Sequence, residues 1–316
     1  MSLFLSSDQA KQGMLLAVAA YAIWGVAPLY FKLLIDFPAS EILMHRVFWS
    51  VLVLALIILV TRTGSKLLTA FRHSRTRNLL LITSLLLAGN WLLFIWAINN
   101  DHLLDASLGY YINPLFNVFL GRVFLGETLR PIQQVAVGCA VFGVGFMVIA
   151  HGELPWIALV LAISFGCYGL LRKQNQTDAV TGLMLESCYM LPLAIGYAIG
   201  FATPISDMFN QDWSLNLWLV ASGIITTLPL LCFNAAAKRI QYSTLGFIQY
   251  LAPTMMFLIA VILFDEPLEQ SRLIMFGFVW LGLGIFTWDS ISIFRKKRKN
   301  KHLAKQQQMA DNNTEV

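Results

Sequence analysis

The chain has 316 residues, of which 58% are hydrophobic and only 12% charged, with a mean hydropathy of +0.68 and a net charge of +5. So much apolar surface excludes a soluble globular protein and indicates a chain that lies in a lipid bilayer. The four cysteines lie within apolar runs, at spacings that suit neither a zinc site nor a disulfide framework. We therefore expect no metal and no cofactor.

A hydropathy window of about 19 residues predicts ten membrane spans, each near the roughly 20 residues that a helix needs to cross the hydrocarbon. The spans are longer than strands and show no alternating pattern, so the predicted fold class is an all-α integral membrane protein. Their approximate bounds are Gly13 to Leu34, Glu41 to Val60, Asn78 to Ile98, Leu104 to Leu120, Pro131 to Ala150, Pro155 to Leu171, Val180 to Gly200, Leu215 to Ala237, Thr244 to Phe264 and Gln270 to Asp289.

The basic residues predict how the chain is oriented. If the N-terminus is cytoplasmic, all but three of the 22 Lys and Arg residues lie in cytoplasmic segments, the exceptions being Lys32, Arg46 and Arg272. The positive-inside rule then places both termini in the cytoplasm. Because the basic residues follow membrane sidedness instead of forming a binding face, nucleic acid is not expected as a partner.

An internal repeat is visible in two segments of similar sequence. PLFNVFLGRVFLGETL begins at Pro114 and PTMMFLIAVILFDEPL begins at Pro253, and an offset of 139 pairs Glu127 with Glu266. An offset of 141 likewise pairs the sixth span with the first, so spans one to five match spans six to ten. Since five is odd, the second copy must enter the membrane from the opposite face. The sequence therefore predicts an inverted 5+5 repeat.

The repeat divides the chain into three parts. Residues 1–150 form the first half and residues 151–293 the inverted second half, while residues 294–316 form a basic cytoplasmic tail that we expect to be disordered. Two similar halves of opposite orientation can exchange conformations, which predicts a secondary transporter that works by alternating access. The alternatives are a duplication that merely builds a stable bundle, an integral membrane enzyme and a passive channel. No catalytic motif or Walker motif is present, so we expect neither an enzyme nor direct use of ATP.

Two prolines mark the candidate transport site. Pro114 and Pro253 lie near the middle of the fourth and ninth spans, where each is predicted to break its helix and free backbone carbonyls. Broken helices at matching places in two halves are typical of a transport site. The same side chains can instead simply bridge packed helices. The polar and aromatic residues that we expect to line a substrate cavity are Trp24, Asn90, Trp91, Tyr110, Tyr111, Asn113, Gln249 and Tyr250.

Ionisable residues inside spans are costly and usually functional. The clearest are His45, Arg46 and Glu186, and the offset of 141 maps His45 onto Glu186. We expect these residues to flank the site from two sides, in gating or in coupling to a proton; the alternative is a structural ion pair. Glu41 should lie at the rim with its carboxylate reaching water, and Glu127 should make helix-terminal or loop contacts.

The phrases YAIWGVAPLYFKLL, EILMHRVFWS, LGYYINPLFNV, FGCYGLLRK and LGFIQYLAPTMMFL resemble the RarD family of EamA-type permeases in the drug/metabolite transporter (DMT) superfamily. The resemblance covers nearly the whole chain up to the tail. It implies a multi-pass permease of the bacterial inner membrane with a central cavity between the halves, driven by an ion or solute gradient. Proteins of this kind often carry a chloramphenicol label. The expected partners are a small amphipathic organic solute, metabolite or drug, the lipid bilayer and a coupled proton, and the expected state is a monomer.

Overall fold

The computed structural model describes residues 7–34, 36–99, 102–152, 155–203, 213–263 and 270–314, and within these ranges every regular element is a helix. Within these ranges, side chains are described up to residue 292, apart from those of ten residues (7, 95, 98, 99, 103–105, 107, 151 and 260). The helices are α1 (Ser7–Lys32), α2 (Ala39–Thr61), α3 (Gly64–Arg72), α4 (Ser74–Asn99), α5 (Leu103–Leu125), α6 (Pro131–His151), α7 (Trp156–Gln174), α8 (Ala179–Gly200), α9 (Trp213–Ala237), α10 (Tyr242–Gln249), α11 (Leu251–Leu263) and α12 (Gln270–Thr314).

The helices match the predicted spans closely. In the described part of the chain, nine segments are long and apolar enough to cross a membrane, with α10 and α11 counted together as one of them. The 23-residue α5 is a further helix at the place of the fourth predicted span. A spanning segment must satisfy its own backbone hydrogen bonds, which helices do. The predicted all-α, multi-span fold is therefore confirmed, while the orientation of the termini stays a prediction.

Two segments outside the predicted spans are helical. The loop after α2 contains α3, which has no buried residues and carries Leu68 and Phe71 as exposed apolar side chains. The second is the stretch from residue 294 to Thr314, into which α12 continues; disorder of the tail stays a prediction. That stretch is rich in Lys, Arg, Gln and Ala and contains no Gly or Pro, so its residues favour a helix.

The two prolines affect their helices differently. α5 runs without interruption through Pro114, so the predicted helix break at this residue is wrong. In the second half the helix is interrupted at Tyr250, between α10 and α11 and three residues before Pro253. A proline clashes with the turn that precedes it, which places a break one turn upstream of the ring. Of the two prolines that the repeat pairs, Pro253 therefore follows a helix break and Pro114 does not.

The chain divides into two compact units, of which the first comprises Met1–Glu127 and His151–Leu268. Its core is a cluster of aliphatic residues, alanines and aromatic residues from α1, α2, α4, α5 and α7 to α11. Close helix contacts in this unit repeat between the halves. A methyl group placed at Gly25 would lie 2.8 Å from Met255 Cβ, and one placed at Gly166 would lie 2.6 Å from Phe116 Cδ1. The offsets of 141 and 139 relate these two contacts to each other.

The second unit comprises Thr128–Ala150 and Glu269–Val316 and contains α6 packed against α12. A methyl group at Gly143 would lie 2.9 Å from the carbonyl oxygen of Met275, and one at Gly282 would lie 2.6 Å from that of Ala136. The offset of 139 turns the first contact into the second. Both helices therefore use a glycine to let the partner backbone approach closely.

Glu127 joins the first half to the second within the first unit. Its Oε1 accepts the backbone N–H of Tyr242 at 2.5 Å, and its Oε2 accepts the backbone N–H and the hydroxyl of Ser243 at 2.9 and 2.7 Å. These N–H groups open α10 and have no partner inside the helix, and a carboxylate also suits the positive end of a helix. The expected helix-terminal role of Glu127 is confirmed.

Replacing Glu127 by alanine should lower the free energy of unfolding by about 1–3 kcal/mol, because two N–H groups of α10 lose a charged acceptor. Equilibrium unfolding in mixed detergent micelles measures the change. The matched control is Asp36→Ala, which removes an exposed acid. If the two variants unfold alike, the capping role of Glu127 is contradicted.

Candidate functional site

Three amide side chains meet where α5 crosses α10, and we call Asn113, Asn117 and Gln249 the amide cluster. Gln249 Nε2 donates to Asn113 Oδ1 at 2.7 Å, and Asn117 Nδ2 donates to Gln249 Oε1 at 2.8 Å and to Asn113 Oδ1 at 3.1 Å. All three are at least 95% buried. Tyr21 on α1 donates to Gln249 Oε1 at 3.3 Å, and Asn113 Nδ2 donates to the carbonyl of Ala162 on α7 at 2.7 Å. The cluster ties helices of both halves together.

The structure thus brings together two of the predicted cavity residues, Asn113 and Gln249, and uses them as contacts between helices. Tyr250, at the break between α10 and α11, is buried and donates its hydroxyl to the carbonyl of Tyr111 at 3.2 Å. One polar atom of the cluster is left over, because Asn117 Oδ1 is buried and has no hydrogen-bond partner. These groups are therefore packed in this state, and exchanging their partners would need the helices to move.

Two other predicted cavity residues also lie in helix contacts. Trp24 packs in an aromatic group with Tyr21, Phe165 and Phe233, at ring-centroid distances of 5.5, 5.9 and 5.9 Å. Asn90 on α4 donates to the carbonyl of Leu161 on α7 at 2.9 Å and to the hydroxyl of Ser164 at 2.8 Å. Amide groups are known to bridge transmembrane helices in this way. For Trp24 and Asn90 the structure matches the helix-packing alternative.

Arg46 is the centre of a second group of predicted residues. Its Nε donates to the hydroxyl of Thr226 on α9 at 2.8 Å. Its guanidinium carbon lies 4.9 Å from the ring centroid of Trp91 on α4 and 5.6 Å from that of Phe31 on α1. These distances are typical of cation–π contacts. Arg46 and Trp91, predicted as gating and cavity residues, thus lie together, while the ring of Tyr110 packs edge-on against that of Phe94 at a centroid distance of 5.9 Å.

A small cavity adjoins the Arg46 group. It has room for about one water molecule. Thr227 is 1% exposed, and its hydroxyl has no hydrogen-bond partner. The cavity is bounded by α2, α4, α8 and α9, and its lining combines hydroxyls with apolar side chains: Val47, Ser50, Trp91, Leu183, Ser187, Met190, Thr226, Thr227 and Leu230.

Glu186 on α8 lies in a third group, which we call the acid cluster. Its Oε1 accepts the hydroxyl of Thr83 at 2.5 Å and lies 3.6 Å from Nε of Arg172, while its Oε2 accepts the hydroxyl of Tyr168 at 3.4 Å. Asn234 Nδ2 donates to the Tyr168 hydroxyl at 2.9 Å. The side chains of Glu186 and Arg172 are both fully buried. Taking two charges out of water is expensive, so this pair is held together by its mutual attraction and by the surrounding hydroxyls.

The burial of Arg172 differs from the sequence interpretation, which placed this residue in a cytoplasmic segment. It lies in the last turn of α7, and its Nη2 donates to the carbonyl of Ala179 at 3.3 Å. The pairing with Glu186 explains why this side chain lies inside the protein.

Glu41 also differs from its prediction, which placed it at the rim with its carboxylate in water: it is fully buried and accepts the backbone N–H of Thr203 at 2.7 Å. His45 is buried on α2, next to Arg46.

Lys238 lies just beyond the end of α9 and binds the carbonyl of Thr177. Burial lowers the pKa of its ammonium to about 8, helped by the charges of Arg172 and Arg239 and opposed by Asp178. The ammonium therefore begins to lose its proton at mildly alkaline pH. The acid cluster and this end of α9 are electrostatically connected through Arg172.

Sequence reasoning missed four of the residues that complete these groups: Asn117, Thr226, Arg172 and Thr83. Asn117 could have been found, because it follows Asn113 by one helical turn and lies on the same face. Arg172 could have been inferred from Glu186, since a carboxylate inside a membrane protein needs a cation. No sequence signal pairs Thr226 with Arg46 or Thr83 with Glu186. Among the described residues, no group of His, Cys, Asp and Glu could hold a metal ion.

Comparisons with known proteins find similarity over the whole membrane part of the chain. The model of the EamA-like transporter family matches residues 11–149 and 155–288. An uncharacterized transporter of Vibrio cholerae is 51% identical, with 94% of this chain and 99% of the relative aligned. Protein RarD of Escherichia coli is 47% identical over 93% of this chain and all of its own. The Pseudomonas aeruginosa protein named chloramphenicol-sensitive protein RarD is 32% identical over 91% of this chain and 97% of its own.

Solved structures share the fold, among them a protein crystal structure with a TM-score of 0.68 and 20% sequence identity, covering 86% of this chain and 96% of that chain. At this identity the likeness shows the fold alone. The arrangement of helices is thus one that an experimentally solved protein also adopts.

Replacing Asn117 by leucine should lower the free energy of unfolding by about 1–2 kcal/mol, because it removes both amide donors to Gln249 and Asn113 while keeping the side-chain size. Equilibrium unfolding in mixed micelles gives the value. Gln176→Leu, in the exposed segment after α7, serves as the control. Equal stability of the two variants would show that the amide cluster does not hold the crossing of α5 and α10.

Proposed function

Because the chain belongs to the EamA-like transporter family, we propose that it is a secondary active transporter that moves a small amphipathic organic solute by alternating access. It is a multi-pass protein of the bacterial inner membrane, and the names of its family and relatives indicate a transporter rather than an enzyme. The class of solute, the alternating-access mechanism, the coupling to a proton and the monomeric state are the parts that we propose here.

The observation that carries the proposal is the repetition of helix contacts between the halves. The contact of Gly25 with Met255 recurs as Gly166 with Phe116, and that of Gly143 with Met275 recurs as Gly282 with Ala136. If the halves are inverted, as the odd number of spans predicts, a structure open to one side has a partner of comparable energy open to the other. Repeated contacts of this kind support two states that interconvert.

The amide cluster supports the same mechanism. Asn113, Asn117 and Gln249 connect α5 of the first half to α10 of the second through hydrogen bonds between uncharged side chains. An amide can both donate and accept hydrogen bonds, so the three can exchange partners when the helices shift without exposing a bare charge. Oδ1 of Asn117, which has no partner in this state, is the acceptor available to such an exchange.

Glu186 is proposed as the group that couples transport to a proton. Its carboxylate is fully buried against Arg172, Thr83 and Tyr168. Protonation of this carboxyl would remove the negative charge that offsets the free-energy cost of burying the Arg172 guanidinium, so the pair would separate. With both termini in the cytoplasm, the acid cluster lies toward the cytoplasmic side and His45 and Arg46 toward the periplasmic side. Proton arrival at Glu186 would then open one end of the pathway.

The protein is proposed to act as a monomer. A single chain already carries two matching halves, so the symmetry that alternating access needs is complete without a second subunit. The competing passive channel is distinguished by its kinetics, since a carrier gives saturable flux that follows a gradient.

Glu186→Gln should abolish the response of transport to a pH gradient, because glutamine cannot exchange a proton. The solute is first identified by comparing metabolites in medium and cytoplasm between a deletion strain and its complemented form. Uptake of that solute into proteoliposomes is then measured with and without a pH gradient. The variant should transport at the rate that the wild type shows without a gradient.

Asp178→Asn is the control, since Asp178 is an acid outside the spans that caps α8. It should keep the response to the gradient. Full uptake and full response in Glu186→Gln would remove Glu186 from the coupling role. Flux that never saturates would instead favour the channel.

A further inference from the structure

Arg46 carries a positive charge into the membrane-spanning part of the protein. It is the eighth residue of α2 (Ala39–Thr61) and is half-buried. Helices α1, α4 and α9 supply its neighbours, which are Phe31, Trp91 and Thr226. One side chain from each of these three helices thus contacts the Arg46 guanidinium.

The neighbours of Arg46 do not neutralise its charge. Within the described ranges, Arg46 forms no ion pair with a carboxylate, whereas the buried Arg172 is paired with Glu186. A guanidinium has five N–H donors, and the described contacts use only the one on Nε, bound to Thr226. The faces of Trp91 and Phe31 stabilise a cation but accept no conventional hydrogen bonds. An uncompensated charge at this depth is costly, so an anion is expected to complete the group.

The adjoining cavity indicates what kind of anion would fit. Trp91 and Thr226 contact Arg46 and also line the cavity. Its wall offers the unpartnered hydroxyl of Thr227 beside apolar side chains such as Leu183 and Met190. Arg46 adjoins the cavity through Trp91 and Thr226 without lining it, and no other Lys or Arg lines it either. Arg46 can therefore pair with one negative charge, and a second would remain unpaired there. A doubly charged phosphate or dicarboxylate is therefore disfavoured.

We propose that Arg46 binds the carboxylate of the transported solute, and that this solute is a monocarboxylate with a compact apolar body. The inference rests on the proposed transport function and adds the chemical class of the solute. The planar guanidinium matches a carboxylate with two parallel hydrogen bonds, while Trp91 and the apolar wall pack against the body. The cavity holds only about one water in this state. Binding therefore requires the helices around it to move apart, as alternating access does.

Binding to the full-length protein in nanodiscs tests the proposal with matched pairs of probes. Each pair has the same shape and differs in charge: acetate and acetamide, 3-methylbutanoate and 3-methylbutanamide, phenylacetate and phenylacetamide. A ligand that binds the folded state raises the unfolding temperature, and a titration gives its Kd. At least one carboxylate should bind at least about tenfold more tightly than its amide, which corresponds to the loss of a charge-assisted contact.

Variants of Arg46 assign the preference to this side chain. Arg46→Gln should remove the preference for the carboxylate, and Arg46→Lys should weaken it, because an ammonium keeps the charge but lacks the planar fork. Arg75→Gln, at an exposed position on α4, should keep it. The unfolding transition of each variant without ligand shows that it is folded, and Arg46→Lys provides a charge-conserving test if the glutamine variant does not fold.

The proposal is overturned if no carboxylate in the series binds better than its amide, or if Arg46→Gln keeps the preference. Proteoliposome flux separates this result from the fate of the transport proposal. If the protein binds a carboxylate better than its amide but does not transport that carboxylate, Arg46 is a carboxylate-binding residue, and the proposal that monocarboxylates are the transported solutes is contradicted. If instead a neutral solute crosses with saturable flux, and Arg46→Gln does not change that flux, the transport function is supported and the role of Arg46 is overturned.

Discussion

The absence of water from the hydrocarbon is the constraint on which the rest of this structure depends. A polar group in a transmembrane helix must find its partner inside the protein, so each such group fixes which helices lie side by side. The amide cluster fixes α5 against α10, and the Thr83–Glu186 contact fixes α4 against α8. Arg46 fixes α2 against α9 through Thr226. The hydrophobic residues fill the space between these contacts but do not by themselves select one arrangement, because lipid is as apolar as the helices.

The two halves share their packing but differ in their chemistry. The glycine contacts recur at offsets of 139 and 141, which indicates that the helix crossings are preserved between the copies. The helix break and the ionisable residues His45, Arg46 and Glu186 do not recur: α5 continues through Pro114, while α10 and α11 are separated at Tyr250. Glu186 occupies the place that corresponds to His45. A common scaffold with unequal charges is what a carrier needs, since the scaffold gives two states of similar energy and the charges let a gradient choose between them.

The spans could be predicted from the sequence because length and hydropathy are properties of a continuous segment. The role of Glu127 could also be predicted, since it lies at the end of a span beside a loop. Hydropathy averages over a window and therefore could not show that Arg172, in the last turn of α7, turns inward to Glu186. Nor could it show that Pro114 is accommodated in a continuous helix. Both the inward position of Arg172 and the continuous helix at Pro114 depend on which residues of other helices pack against them, and the packing of segments distant in sequence decides this.

Only some of the residues in these groups could be predicted from the sequence, for the same reason. Asn113, Gln249, Arg46 and Trp91 are recognisable as polar or aromatic residues inside spans, and the structure places them in two separate groups. The sequence could not separate a residue that lines a cavity from one that bridges helices, because both uses favour the same residue types. Partners on other helices, such as Thr226, become apparent only in three dimensions.

The central claim is that the two halves face opposite sides of the membrane. Its most direct test is the accessibility of single cysteines, introduced after the four native cysteines are replaced by serine. Thr128 follows Glu127, and in the matching segment of the sequence Glu269 follows Glu266 by three residues; both of these glutamates are outside the described residues. A membrane-impermeant maleimide should label Thr128→Cys only in inside-out vesicles and Glu269→Cys only in intact cells. Labelling of both positions from the same side would contradict the inverted repeat and, with it, the alternating-access mechanism.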